Sequence, residues 1–174
     1  TFVNIYVYDS TVNVPNDSKK APFELNVSGS NVVSNVLIAN SKIATSNISN
    51  DRPMVVYATN INNLTIDNNV FVGRRVNYND AVKLGDGASK GVTGNLIVTN
   101  NHFENYSQYL IWLSTYAAVN VLVENNTFLN NGQTAGSHGV IRFGSYKGTA
   151  DDKVNCEMYY NTVDNSYMLL RIDA

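Results

Sequence analysis

The chain has 174 residues, of which 44% are hydrophobic and 15% are charged, with a formal net charge of −2. A net charge this small provides no field that would attract nucleic acid or an anionic membrane. We therefore predict neither as a partner. The sequence contains no run of about 18 apolar residues, the length needed to span a membrane. Its single cysteine, Cys156, excludes an internal disulfide. The length fits one domain, residues 1–174, with a continuous core.

Asparagine is the outlying residue, with 28 copies, and it recurs inside a repeated phrase. In chain order the six occurrences of this repeated phrase are NIYVYDSTV, NVLIANSKI, NLTIDNNVF, NLIVTNNHF, NVLVENNTF and NCEMYYNTV, beginning at positions 4, 35, 63, 95, 120 and 155. The three middle copies share the template N-apolar-x-apolar-x-N-N-x-F. Variable intervals around a fixed phrase are typical of a solenoid whose loops differ in length.

A second apolar strand lies within each interval, so each coil is predicted to carry two or three strands. Alternation points Leu64 and Ile66 inward and Thr65 and Asp67 outward, and a period of two excludes a helix. These strands begin at Glu24, Val55, Val82, Ile111, Ile141 and Leu170. We therefore predict an all-β, right-handed, single-stranded parallel β-helix of about six rungs, roughly 29 Å long at a strand spacing of about 4.8 Å.

The paired asparagines are predicted to form a sharp bend between two strands. One Asn of each pair tolerates the left-handed conformation, and the other can stack in a ladder of amides along the axis. The ladder candidates are Asn40, Asn68, Asn100 and Asn125. The alternative fold is an antiparallel sandwich, but sandwiches do not repeat a full strand-bend-strand phrase.

The phrase resembles the repeats of the pectin-lyase-like superfamily, the right-handed parallel β-helices of polysaccharide lyases, epimerases, some phage tailspikes and some bacterial adhesins. The resemblance covers nearly the whole chain and implies a secreted, cell-surface or virion-surface protein. It also implies that the outer face of the strand preceding the Asn motif lines a glycan groove. The motif describes how a rung folds and does not specify an activity.

Outward positions of the second strand set form the predicted glycan-binding column. Aromatic planes stack on sugar rings, and Lys or Arg pairs with carboxylates or sulfates, which favours an acidic glycan. A purely structural alternative is that the aromatics cover neighbouring aliphatic atoms while the cations serve solubility. The column consists of Asn26, Tyr57, Lys83, Trp112, Arg142 and Arg171.

A polysaccharide lyase or epimerase is the second functional hypothesis. It would use Lys83 or His138 as base and Arg142 or Arg171 to neutralise a uronate carboxylate. No metal site is assigned and calcium is only possible as a cofactor, because Asp80, Asp86 and Asp173 lie only near the edges of the column. A glycoside hydrolase is a weak alternative, because Asp67 and Glu124 are two rungs, or about 9.6 Å, apart.

The first hypothesis remains glycan recognition by an adhesin, a tailspike or a fragment of a carbohydrate-active enzyme, and the third is a passive spacer of a filament, stalk or capsid. The chain begins at Thr1 and its repeats run to both ends. We therefore expect a segment of a longer protein, with flanking domains or partner subunits that cap the helix ends.

Overall fold

A computed structural model of the chain describes residues 2–14, 21, 23–45, 56–73, 80–85, 91–113, 119–131, 140–144, 153–166 and 169–173. The described residues form eighteen strands, β1 to β18 in chain order, and three strands make one coil. Within these ranges we find no helix of the length and apolarity that a membrane crossing requires.

Three parallel sheets of six strands each run along the axis, and each coil contributes one strand to each sheet. Sheet 1 contains β1 (Phe2–Tyr8), β4 (Val33–Ala39), β7 (Ile61–Asp67), β10 (Val92–Thr99), β13 (Val119–Glu124) and β16 (Val154–Tyr159). Sheet 2 contains β2 (Thr11–Val14), β5 (Lys42–Thr45), β8 (Val70–Val72), β11 (His102–Glu104), β14 (Thr127–Leu129) and β17 (Thr162–Asp164). Sheet 3 contains β3 (Phe23–Asn26), β6 (Val56–Thr59), β9 (Val82–Leu84), β12 (Ile111–Leu113), β15 (Ile141–Gly144) and β18 (Leu170–Asp173).

Copies of the repeated phrase lie in register, one rung above the next. Leu96 pairs with Leu64 on one side and with Val121 on the other, as identical template positions must in a solenoid. All strand pairs between the described residues are parallel, which excludes the antiparallel sandwich. The predicted parallel β-helix of six rungs is therefore confirmed.

The interior consists of columns of equivalent side chains. Phe71, Phe103 and Phe128 are fully buried, as the template predicted. Their rings stack along the axis with centroids 4.8 and 5.4 Å apart and interplanar angles of 22°, which is offset stacking close to the strand spacing. Each rung therefore buries its apolar side chains mainly against the two neighbouring rungs.

At the last rung the inward positions Leu170 and Ile172 are 38% and 66% exposed. Both side chains belong to columns that are buried in the preceding rungs, where their register partners are Ile141 and Phe143. The expectation that flanking domains or partner subunits cover the helix ends stays a prediction.

The bends between sheets 1 and 2 divide the paired asparagines into two roles, and the predicted assignment needs correction. Asn40, Asn68, Asn100 and Asn125 are exposed, with φ between 50° and 58°. Their amides bond in the pairs 40–68 and 100–125, at 2.8 and 2.7 Å, whereas Asn100 donates to Asp67 Oδ1 at 2.8 Å. The predicted residues therefore provide the left-handed bend and an interrupted outer ladder.

The second Asn of each pair forms the continuous ladder, which is buried. Asn101 Oδ1 accepts from both the backbone and the side-chain N–H groups of Asn69, each at 2.9 Å. Asn101 Nδ2 donates to Ile66 O at 2.8 Å and to Asn126 Oδ1 at 3.0 Å. The series runs from Ser41 through Asn69, Asn101 and Asn126 to Asn161. These amides satisfy backbone groups that the bend removes from the sheets.

Replacing Asn101 with Ala should lower the free energy of unfolding by about 3 kcal/mol, because several buried donors and acceptors lose their partner. Asn100→Gly is the matched control, because it keeps the left-handed bend and removes only exposed bonds. We expect it to cost under about 1 kcal/mol. Urea denaturation measures both values, and equal losses would contradict the ladder's structural role.

A fully buried tyrosine occupies the turn between sheets 2 and 3. The hydroxyl of Tyr106 has no hydrogen-bond partner among the described residues, and burial raises the pKa of Tyr106 far above its usual range. Its ring packs against Gly73, where an added Cβ would lie 2.9 Å from the ring. Packing within the core, including the close contact with Gly73, rather than hydrogen bonding of the hydroxyl, therefore holds this side chain.

Tyr106→Phe should leave stability unchanged or raise it by about 1 kcal/mol, because the buried hydroxyl makes no compensating hydrogen bond. The control is Tyr109→Phe, since the Tyr109 hydroxyl accepts a bond from Arg171 Nη1 at 3.2 Å. That variant should be destabilised by about 0.5 to 1 kcal/mol. A thermal denaturation series in which Tyr106→Phe is the less stable of the two would oppose this interpretation.

Candidate functional site

The outer face of sheet 3 carries one row of charged and aromatic side chains. Strand register places them opposite one another, one per rung. In order from the first rung to the last, this cation–aromatic row consists of Glu24, Tyr57, Lys83, Trp112, Arg142 and Arg171.

Asn26 was wrongly predicted to belong to this row. Tyr57 pairs with Glu24, and Asn26 pairs with Thr59. The predicted alignment was displaced by two residues, which keeps every side chain on its correct face. A pattern of period two therefore cannot detect the error.

Trp112 lies between two cations. Lys83 Nζ is 4.7 Å and Arg142 Cζ is 4.9 Å from the centre of its ring system. The side chain is only 9% exposed, so it is not the open platform for a sugar ring that the sequence suggested. These distances are typical of cation–π contacts, and they make Trp112 a support for its two neighbours.

Tyr109 extends this arrangement, and sequence analysis missed it. It lies in the turn before β12, where its ring is 5.1 Å from Arg142 Cζ and its hydroxyl accepts from Arg171. Its backbone N–H donates to Asp80 Oδ1 at 3.0 Å. The template marks strands alone, and the one available signal was the aromatic and polar stretch NYSQYL between β11 and β12.

The cations are held in a fixed order along the axis. Lys83 also lies 6.0 Å from the ring centre of Tyr57, so cation–aromatic contacts link the second rung to the fifth. The hydrogen bond from Arg171 to the Tyr109 hydroxyl extends the arrangement to the sixth rung. Lys83 and Arg171 are three rungs apart, or about 14 Å. Stacking uses the flat face of a guanidinium, whereas its N–H donors lie in the plane of the group. The row can therefore present positive charge to an extended anionic molecule.

The residues proposed for lyase chemistry are only partly described. Lys83, Arg142 and Arg171 are brought together in the row, but His138 and Asp86 lie outside the described residues, as does the side chain of Asp173. Asp80 is fully buried at the edge of the row. No group of three or more metal-ligating side chains occurs in the part of the chain that the structure describes.

The carboxylates considered for hydrolysis belong to another face. Asp67, Thr99 and Glu124 are consecutive partners in sheet 1, and Thr99 Oγ1 donates to Asp67 Oδ1 at 2.7 Å. The predicted shared column is therefore present. Because these acids belong to sheet 1 and the cation–aromatic row belongs to sheet 3, the carboxylates are not part of the row.

Comparison with protein-family models, curated proteins and solved structures gives no match for this chain. The candidate site therefore depends on its own geometry and charge. The resemblance to the pectin-lyase-like superfamily remains a prediction beyond the observed parallel β-helix.

Trp112→Ala should lower stability by about 3 to 4 kcal/mol, since a large buried ring is lost from between two side chains. Lys83→Met removes the charge and keeps most of the aliphatic length, so its cost should stay under about 1 kcal/mol. Urea denaturation provides the comparison. A loss under about 1 kcal/mol for Trp112→Ala would contradict the supporting role of the ring.

Proposed function

We propose that this chain is an extracellular β-helix, secreted or displayed on a cell or virion surface, that recognises an acidic polysaccharide along the cation–aromatic row. The observation that carries the proposal is the position of Trp112 between Lys83 and Arg142, at 4.7 and 4.9 Å. Aromatic contacts hold the two cations on one face of sheet 3.

The row matches an extended polyanion in both shape and charge. The β-helix axis provides a straight track, and its three cations are distributed over about 14 Å. A guanidinium can donate two parallel bonds to a carboxylate or sulfate, whereas an ammonium acts as a point charge. Repeated acidic groups on one polymer would engage several of these cations at once, which raises overall affinity.

Restriction of the side chains before binding supports the same proposal. Long cationic side chains lose rotamer freedom when they bind a ligand, which costs about 0.5 to 1.5 kcal/mol for each. Contacts with Trp112 and Tyr109 already restrict Arg142, whose Cζ is 4.9 and 5.1 Å from the two ring centres. The aromatic residues thus act as positioning residues, and the cations are the groups that meet the glycan.

Calorimetric titration with oligogalacturonate and with a sulfated oligosaccharide tests the proposal. Arg142→Met should weaken binding at least about tenfold, since charge-assisted bonds are lost. Arg142→Lys should fall between Arg142→Met and the unchanged protein. Lys42→Met is the matched control, because Lys42 is an exposed lysine on sheet 2, and it should bind normally. Equal weakening in Arg142→Met and Lys42→Met would indicate nonspecific charge attraction.

A lyase or epimerase would bind the same polymer and also transform it. Ultraviolet absorbance of unsaturated uronate products, followed with and without calcium, identifies a lyase. Loss of kcat in Lys83→Met at saturating polymer would assign the base to the row, whereas a raised KM with kcat unchanged would assign Lys83 to binding alone.

A structural spacer is the second candidate function, and the low exposure of Trp112 favours it. If the row serves packing alone, Trp112→Ala should reduce stability, while the unchanged protein should bind neither acidic oligosaccharide. That pair of results would replace glycan recognition with the spacer.

A further inference from the structure

The outer face of sheet 1 carries a second ladder of asparagine amides, separate from the bends. Each Nδ2 donates to the Oδ1 of the preceding rung. The distances are 3.0 Å for Asn35 to Asn4, 3.1 Å for Asn63 to Asn35, 3.1 Å for Asn95 to Asn63 and 3.4 Å for Asn120 to Asn95. Asn155 continues the row by strand register.

Glycine allows this ladder to pass a bulge in β10. The register of β10 against β7 shifts between Thr93 and Leu96, and Gly94 has a φ of 75°. An added Cβ at Gly94 would lie 2.5 Å from Asn63 Oδ1. The close approach brings Asn95 into line with Asn63, so the ladder continues into the last rungs.

Two residues further along each strand, a second outward row runs parallel to this ladder. Its members are Tyr6, Leu37, Thr65, Ile97, Leu122 and Glu157, in register. A cavity of about 290 Å³ lies between the two rows at the last three rungs. We call it the sheet 1 groove, and its walls include Asn95, Asn120 and Asn155 on one side and Ile97, Leu122 and Glu157 on the other.

The amide wall retains hydrogen-bonding capacity. A side-chain amide has two N–H donors and two acceptor lone pairs. Within the ladder, Asn95 Nδ2 donates once to Asn63, and its Oδ1 accepts once from Asn120. Asn63 Oδ1 accepts from both the backbone and the side-chain N–H of Asn95 and is fully used. In the groove itself, Asn95 keeps one donor and one acceptor, and the next amide follows at about 4.8 Å, which suits the hydroxyl groups of a sugar.

The opposite wall is aliphatic and ends in a carboxylate. Ile97 and Leu122 are half-buried, and Glu157 is exposed. Aliphatic side chains can pack against the C–H face of a sugar ring. The groove volume is near the lower limit of about 300 Å³ for small-molecule sites, which suits one or two sugar units.

Charge distinguishes this face from sheet 3. The described strands of sheet 1 contain Asp67, Glu124 and Glu157 but no Lys or Arg. Lys153 precedes β16 and has the same outward direction as Asn155 and Glu157, but it lies four residues, or about 13 Å, from Glu157. An acidic face repels uronates and favours an amine.

We propose that the sheet 1 groove binds a hexosamine unit of a saccharide. The Asn amides bond to its hydroxyls, Ile97 and Leu122 support its ring, and Glu157 pairs with its ammonium. This site is independent of the cation–aromatic row and has the opposite charge preference.

Calorimetric titration of the full chain with a glucosamine oligomer, at a pH where its amines are protonated, tests this site. Leu122→Lys fills the groove and adds a repelling charge, so binding should weaken at least about tenfold. Leu37→Lys is the matched control, because Leu37 is a half-buried leucine of the same row outside the groove. It should bind like the unchanged protein.

A second set of titrations tests the preference of the groove for a protonated amine. Glu157→Gln should weaken binding of the glucosamine oligomer about two- to fivefold, the size expected for an exposed ion pair, and remove its preference over the N-acetylated oligomer. No binding, or equal weakening in Leu122→Lys and Leu37→Lys, would overturn the site. An unchanged amine preference in Glu157→Gln would overturn the assigned role of the carboxylate. Oligogalacturonate binding should be the same in all three variants, which separates this test from that of sheet 3.

Discussion

Each coil of this protein turns sharply between sheets 1 and 2, and the turn removes backbone groups from the regular sheet bonds. The buried amides of Asn69, Asn101 and Asn126 replace those bonds, because each accepts from the preceding rung and donates to the following one. A solenoid buries its core only between neighbouring rungs. The ladder therefore fixes the register on which both the interior columns and the outer rows depend.

Fixed register has a consequence for function. Residues distant in the sequence become neighbours at the strand spacing, so a row on the outer surface acts as one linear array. The row on sheet 3 combines cations with aromatic supports, whereas the rows on sheet 1 combine amides, aliphatic side chains and acids. The two faces thus differ in the sign of the charge that they offer to a ligand.

Much of the fold could be predicted from the repeated phrase, because a period of two and equal template positions define both the faces and the stacking. The inward Phe71, Phe103 and Phe128 followed from that logic. The phrase could not distinguish Glu24 from Asn26, since a displacement by two residues preserves every face. It also could not identify which Asn of a pair would be buried, because both positions have the same residue type.

The side-chain geometry of the candidate site could not be predicted from the repeated phrase, because the phrase defines only the face on which a side chain lies. The sequence placed Trp112 on the outer face, but its exposure depends on whether adjacent cations fold over the ring. Tyr109 lies in a turn, where the template says nothing about direction. The sheet 1 groove arises from the spacing between two rows, and single positions do not reveal it.

Backbone amide shifts during a nuclear magnetic resonance titration with oligogalacturonate test the central functional claim most directly. The account predicts that the largest shifts cluster in β9, β12, β15 and β18 and that sheet 1 is little changed. Shifts concentrated on sheet 1 or sheet 2, or no shifts at all, would contradict recognition of an acidic glycan by the cation–aromatic row.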